Sequence, residues 1–403
     1  MIRWVLFFTI ILCVDFYAFQ SIKTVTKSKI IYGLYWVLSF IVLINFTYQL
    51  LTFNRSTGLS QSLMLAFGLL VLSLIPKFSA LIILFGEDIF RVFKLVINYF
   101  SRADSIELFH GRRAFVSKVA LGMAAIPFAS VLYGIVRGKY NYKVIKHTLF
   151  FDDLPTAFDG FKLTHISDIH SGSFDDASKI GYGIDLINEQ ESDVILFTGD
   201  IVNNKAEEMD PWMSYFKSLK ATYGKYSVLG NHDYGEYTRF KSAEEKERNF
   251  QAIKDIHPKI GFNLLLNDSI YIEKGNAKIA IVGVENWGTR FKKAGDLNVA
   301  STKIKKDDFK ILLSHDPSHW NSEVKTHKKN YQLTLSGHTH GMQFGIEIPG
   351  LKWSPAQYIY KQWAGVYKEF GRTINVNRGF GFLAFPGRVG IWPEITVITL
   401  KKK

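Results

Sequence analysis

The apolar residues of this chain crowd into its first third and then change rhythm. Residues 4–19 form an apolar run broken only by Asp15, and residues 30–53 form a second with Asn45 and Gln49 late in it. Residues 63–85 form a third, interrupted at Pro76-Lys77, and residues 119–136 form a fourth that is rich in small side chains. As helices these runs match the roughly 30 Å of a bilayer's hydrocarbon core, the first only just. Asp15 then faces the interior of the helix bundle, as intramembrane acids do. Residues 86–100 follow another pattern. There Ile89, Phe90, Val92, Phe93, Leu95, Val96 and Ile97 alternate with Asp88, Arg91 and Lys94, which predicts an interfacial amphipathic helix rather than a span.

From about Thr148 onward the long runs stop. Short apolar stretches at residues 162–167, 194–198, 226–229, 309–313 and 333–336 read as strands. Residues 177–189, 212–221 and 243–256 read as helices between them. Alternating strands and helices predict an α/β domain. The chain therefore divides into a membrane domain over residues 1–147, with about four transmembrane helices, and a second domain over residues 148–403.

The net charge is +13, which raises the question of nucleic acid. No aromatic–basic RNA motif and no DNA-reading helix pattern is present. Many of the lysines and arginines instead flank the apolar runs, so the lipid bilayer is the expected partner. The one cysteine, Cys13, lies inside an apolar run, so no disulfide forms within the chain. Lys23, Lys27 and Lys29 lie between the first two runs, and Arg91, Lys94, Arg102, Arg112, Arg113 and Lys118 between the last two. Only Arg55 lies between the second and third. The positive-inside rule then puts the first and third loops in the cytoplasm and residues 148–403 outside. Arg137, Lys139, Lys143 and Lys146 pull the other way. Arg112-Arg113, followed by Phe115 and Lys118 and then a mild apolar region, has the pattern of a twin-arginine export signal.

The predicted strands end in chemistry. Asp168-Ile169-His170, Gly199-Asp200, Gly230-Asn231-His232-Asp233, Ser314-His315-Asp316 and Gly337-His338-Thr339-His340 each follow one of them. Ligands of open α/β sheets bind beyond the carboxyl ends of the strands. Carboxylate, amide and imidazole groups therefore converge on one rim. That donor set suits two divalent metals, and two-metal sites catalyse phosphoryl hydrolysis.

In order and spacing these motifs resemble the calcineurin-like metallophosphoesterases over roughly residues 161–400. The helices ahead of the domain are similar to those of a bacterial, membrane-anchored subgroup, which implies a multi-pass inner-membrane protein. The resemblance implies a β-sandwich of two mixed sheets flanked by helices. It implies that Asp168, His170 and His340 hold one metal, that Asn231, His315 and His338 hold the other, and that Asp200 bridges them. Mn²⁺, Fe²⁺ and Zn²⁺ all suit such mixed nitrogen and oxygen donors. His232 is then the catalytic residue that stabilises the transition state or protonates the leaving oxygen. Many family members carry an aspartate three residues after the bridging one to orient that histidine. Here the position is Asn203, with Asp233 as a possible replacement.

Arg378 lies in a Gly-rich turn, and its guanidinium suits bidentate phosphate binding, so it is the expected substrate contact. His165 reads as core or as a neighbour of the metal ligands, and His257, His319 and His327 as surface or cap residues. The expected function is an integral-membrane phosphoesterase acting on a lipid-linked or glycolipid phosphate. Cleavage of UDP-2,3-diacylglucosamine in lipid A synthesis is a concrete example, though it would need a cytoplasmic site. The alternative is a noncatalytic scaffold of the same fold at the membrane.

Overall fold

A computed structural model describes residues 2–101 and 110–403. The chain folds as two compact units, one of residues 1–53 and 61–136 and one of residues 54–60 and 137–403. The second unit thus begins ahead of the expected boundary at Thr148, because the strand from Lys143 pairs along its whole length with the chain's last strand.

Four helices make up the first unit: α1 (Ile2–Val25), α2 (Lys29–Leu51), α3 (Gln61–Phe100) and α4 (His110–Val136). Each is long and apolar enough to cross a membrane. Pro76 lies inside α3 without ending it. The expected separate helix at residues 86–100 is instead the continuation of α3, which runs unbroken through Gly86. Asp15 is buried, and the charge it meets is Lys77. Tyr35 donates to the Asp15 carbonyl at 2.8 Å, and the Lys77 ammonium donates to Ser39 and Ser73 at 2.8 and 2.7 Å. A paired, hydrogen-bonded acid at this depth ties α1, α2 and α3 together. Arg113 bonds Glu87 at 2.7 Å and Asp88 at 2.6 Å, and Arg112 lies over the Phe90 ring. The structure therefore gives the twin arginines a packing role. Arg102, counted in the charge argument, lies outside the described residues.

The second unit is a two-sheet sandwich. In chain order its strands are β1 (Lys143–Phe151), β2 (Lys162–Ile166), β3 (Val194–Phe197), β4 (Lys225–Ser227), β5 (Asn263–Leu264), β6 (Asp268–Lys274), β7 (Ala277–Gly283), β8 (Lys310–Leu313), β9 (Leu333–Ser336), β10 (Ile346–Ile348), β11 (Leu351–Trp353), β12 (Gly365–Glu369), β13 (Arg372–Val376) and β14 (Glu394–Lys402). One mixed sheet runs β1-β14-β2-β3-β4-β5 and the other β12-β13-β9-β8-β7-β6, while β10 and β11 form a separate ribbon. Three helices, α5 (Ala177–Asn188), α6 (Met213–Lys217) and α7 (Ala243–Lys259), cover the outer face of the first sheet.

The sequence rhythm explains the layers. Strand residues alternate faces, so an unbroken apolar run is buried on both. In β3, Val194 and Leu196 point between the sheets and Ile195 and Phe197 toward the helices. In β8, Ile311 and Leu313 point between the sheets and Leu312 outward to a third cluster with Trp320 and Tyr331. Strands β2, β3 and β4 run parallel in one sheet and β7, β8 and β9 in the other. Their carboxyl ends deliver the motif loops.

Candidate metal centre

The chain turns sharply at the end of each motif strand. Asp168, His170, Asp200, His338 and His340 all have left-handed backbones, with φ between 48° and 70°. Non-glycine residues avoid that region, and strained backbones concentrate at functional sites. Neighbouring loops come close enough to need glycine. A Cβ on Gly230 would meet the Asp200 carboxylate, and one on Gly337 would meet Ser167 and Asp168.

Two donor clusters result. Asp168, His170 and His340 form one, and Asp200, His315 and His338 the other, each with its ligand atoms within 4.8 Å of one another. In the first, Nε2 of His340 lies 3.2 Å from Oδ1 of Asp168 and 3.0 Å from Nε2 of His170. In the second, Nε2 of His315 lies 3.1 Å from Oδ2 of Asp200 and 3.2 Å from Nδ1 of His338. The same Asp200 oxygen is 3.6 Å from Nε2 of His170 in the first cluster, so this carboxylate lies between the two.

The donor set fits divalent cations. The side-chain carbonyl of Asn231 is buried with no hydrogen-bond partner among the described residues, while its amide donates to the Tyr237 hydroxyl at 2.9 Å. An orphaned buried carbonyl costs free energy unless something accepts its lone pairs, and a hard cation does. The Nδ1–H of His315 donates to the Thr198 carbonyl at 2.7 Å, which leaves Nε2 for a ligand. Without metal, charge is balanced by protons. Burial disfavours charge on His315, but Asp200 outweighs it and lifts the imidazole to about 10. Burial likewise opposes the Asp168 charge, yet the surrounding histidines, His340 first, hold its carboxyl well below the usual range.

His232 is held differently from the sequence expectation. Its Nδ1–H donates to the backbone carbonyl of Asn203 at 2.8 Å, so neither the Asn203 side chain nor a carboxylate orients it. Asp233 does not take over. Its carboxylate accepts the backbone N–H groups of Gly230, Asp200 and Ile201 and so fastens two motif loops together. The imidazole packs edge-on against His170 and lies over Tyr237, and burial lowers its pKa.

Other expectations change too. Arg378 is almost fully buried, with its guanidinium bound bidentately to Glu347 at 2.5 and 3.0 Å and also to Glu394. In this structure its fork is committed to two carboxylates. His165 is core, bonded to Thr198 and Asn375. His257 and His319 are buried rather than at the surface. Each bonds a serine hydroxyl at 2.8 Å, Ser227 and Ser314 respectively, and burial pushes each pKa down to about 3. His327 is the half-buried end of a short 3₁₀ turn.

Sequence reasoning missed three supports. Glu208 accepts the N–H groups of Asn203, Asn204 and Lys205, clamping the loop whose carbonyl holds His232. The Tyr360 hydroxyl bonds Nε2 of His338 at 2.8 Å. Arg388, fully buried, gathers the carbonyls of Arg378 and Gly381 and lies 3.1 Å from Nδ1 of His340. None belongs to a local motif; only the folded loops bring them to the ligands.

A sandwich whose parallel strands deliver paired aspartate and histidine clusters defines a metal-dependent phosphoesterase. Residues 161–342 match the family described as calcineurin-like phosphoesterase, and residues 2–139 match one described as "Probable Calcineurin-like phosphoesterase, transmembrane domain". The chain is 31% identical over 276 residues to the "Uncharacterized metallophosphoesterase YkuE" of Bacillus subtilis, covering 67% of this chain and 90% of that protein. A "Transmembrane protein with metallophosphoesterase domain" from Danio rerio is 25% identical over 91% of this chain and 80% of its own length. The "Phosphodiesterase YaeI" of Escherichia coli is 26% identical over 64% of this chain and 88% of its own length. The chain belongs to the calcineurin-like metallophosphoesterases. It is a membrane protein and a hydrolase.

Proposed function

We propose that the two clusters form one dinuclear centre that hydrolyses a phosphoester or diphosphate of a lipid-linked substrate. Asp168, His170 and His340 would hold one cation and Asn231, His315 and His338 the other, with Asp200, which lies between the clusters, available to both. The observation that carries this reading is the position of Asp200, with one oxygen 3.1 Å from His315 and 3.6 Å from His170. Two divalent cations so held would polarise a phosphoryl oxygen and make water a competent nucleophile near neutral pH.

The protein's own groups do the rest. The Asn203 carbonyl fixes the ring of His232, which leaves Nε2 to meet the phosphoryl oxygens or the leaving group. Attachment to the bilayer supports a lipid-linked substrate; UDP-2,3-diacylglucosamine becomes the example only if the orientation test below places the site in the cytoplasm. The charge pattern of the loops supports an outward-facing catalytic unit. A fluorescent-protein fusion after Lys403 tests that orientation, since fluorescence from a protease-protected carboxyl terminus would put the site in the cytoplasm instead.

The decisive test of the centre is Asp200→Ala in the full-length protein. The expected result is loss of metal, measured by elemental analysis, and of turnover against a panel of phospholipid and nucleotide-sugar esters. Near-normal metal content and turnover would exclude the bridging assignment.

A further inference from the structure

The ribbon β10–β11 gathers its apolar side chains on one exposed face. Its cross-strand pairs are Ile346 with Trp353, Glu347 with Lys352, and Ile348 with Leu351. Side chains alternate faces along a strand, so Ile346, Ile348, Leu351 and Trp353 share one face and Glu347 and Lys352 the other. Both faces of the ribbon are open to solvent, and it is the polar face that is tied to the rest of the unit. Glu347 is bound by buried Arg378, which is bound in turn by Glu394. The Lys352 ammonium donates to the Ala364 carbonyl at 2.5 Å and lies over the Trp363 ring. These bonds fix the register, and a one-residue slip would exchange the two faces. The apolar face is thereby turned outward, with Ile346, Ile348 and Leu351 45%, 58% and 48% exposed. Tyr358 extends the patch, its hydroxyl accepting from the Trp353 indole at 3.3 Å.

We propose that this face is a bilayer-docking surface of the catalytic unit, with the acyl-chain boundary of a lipid leaflet as its occupant. An exposed apolar patch of this kind marks an interaction site. The chain crosses the membrane and enters the catalytic unit through residues 137–142, so a lipid surface is always at hand. Aliphatic side chains beside a Trp–Tyr pair are the composition of membrane interfaces. A ribbon of two three-residue strands is small beside the roughly 800 Å² per partner of a stable protein interface. The ribbon follows closely on the ligand His340, so docking it would bring lipid to the rim of the metal centre. The inference rests on the membrane helices and the ribbon, not on the proposed substrate.

The test uses full-length protein with Cys13→Ser, reconstituted in phosphatidylglycerol and phosphatidylethanolamine vesicles. Nitroxide labels go on Ile348→Cys, on Leu351→Cys and, as an exposed reference away from the ribbon, on Glu273→Cys. Labels at 348 and 351 should relax with dissolved oxygen and be shielded from a water-soluble nickel chelate, while the label at 273 meets the chelate freely. Equal nickel access at all three positions would overturn the proposal. Shielding of 348 and 351 from both reagents would also overturn it, by showing that protein, either a second copy or another partner, covers the face. Metal content of each labelled variant confirms that the catalytic unit is folded.

Discussion

Replacing Arg378 with alanine decides between a substrate contact and a structural anchor. In the fold this guanidinium is almost fully buried and neutralises Glu394, which is itself completely buried, as well as Glu347. Removing one partner from a buried ion pair strands the other charge, at a cost of about 3–5 kcal/mol. A domain of this size loses roughly 2–4 °C of Tm per kcal/mol, so the catalytic unit should melt on the order of 6–20 °C lower. Arg378→Ala combined with Glu394→Gln removes the stranded charge and should recover much of that loss. Below its melting point the single variant should keep near-normal KM, because no donor aimed at substrate has been removed. Thermal unfolding in detergent, followed by tryptophan fluorescence, measures the first quantity, and steady-state kinetics on a soluble phosphodiester measures the second. An unchanged Tm with a tenfold rise in KM would refute the anchor and restore the phosphate contact.

His232→Ala should keep its metals but lose roughly 10²–10⁴ in kcat on an alkyl ester, and less on a nitrophenyl ester whose leaving group needs no proton. Equal losses on both would exclude proton donation. Loading metal at pH 8 should release about one proton, because His315 is charged in the empty site, with a pKa lifted to about 10, and must be neutral to ligate. Calorimetric heats that do not vary with buffer ionisation enthalpy would refute this. The sign for stability follows from the same shift. The His315 contribution to the metal-free protein is fully present below about pH 6.5 and is lost as pH rises through about 10. Glu208→Ala should reduce kcat roughly 10–100-fold with metal retained, as loss of outer support does at metal sites. A normal kcat would show that the Asn203 loop holds His232 unaided.

The two aspartate–histidine clusters were legible because their motifs are local. Each motif follows a short buried strand, as VILF of β3 and LTLS of β9 illustrate, and each is bounded by a glycine or serine turn. The misreadings share one cause, partners far along the chain. His257 and His319 stand among polar neighbours in sequence, yet His257 stacks on Phe197 and His319 on Trp287. The ion pairs of Arg378 were hidden in the same way, because Glu347 is brought to it only when the ribbon folds back. Asp15 was expected to face inward, but nothing near it in sequence named Lys77 as the reason. The α3 helix runs past its predicted end because one glycine, Gly86, costs a long helix only about 1 kcal/mol, too little to end it.

The replacement of a carboxylate by Asn203 bears directly on how His232 works. A carboxylate beside Nδ1 would favour the imidazolium and keep a proton on Nε2. A backbone carbonyl accepts the Nδ1–H without supplying a full charge, and burial then lowers the pKa of the ring. At neutral pH the dominant form is neutral, with its remaining proton on Nδ1 and a lone pair on Nε2. In that form His232 accepts hydrogen bonds and cannot donate one to the leaving oxygen. Proton donation therefore draws on the minority imidazolium, whose share rises as pH falls, whereas orienting water or a protonated phosphoryl oxygen draws on the majority form. If His232 is the proton donor, kcat on an alkyl ester should therefore rise as pH falls, and the Glu208 clamp, which fixes the Asn203 loop, should hold the Nδ1 tautomer in place.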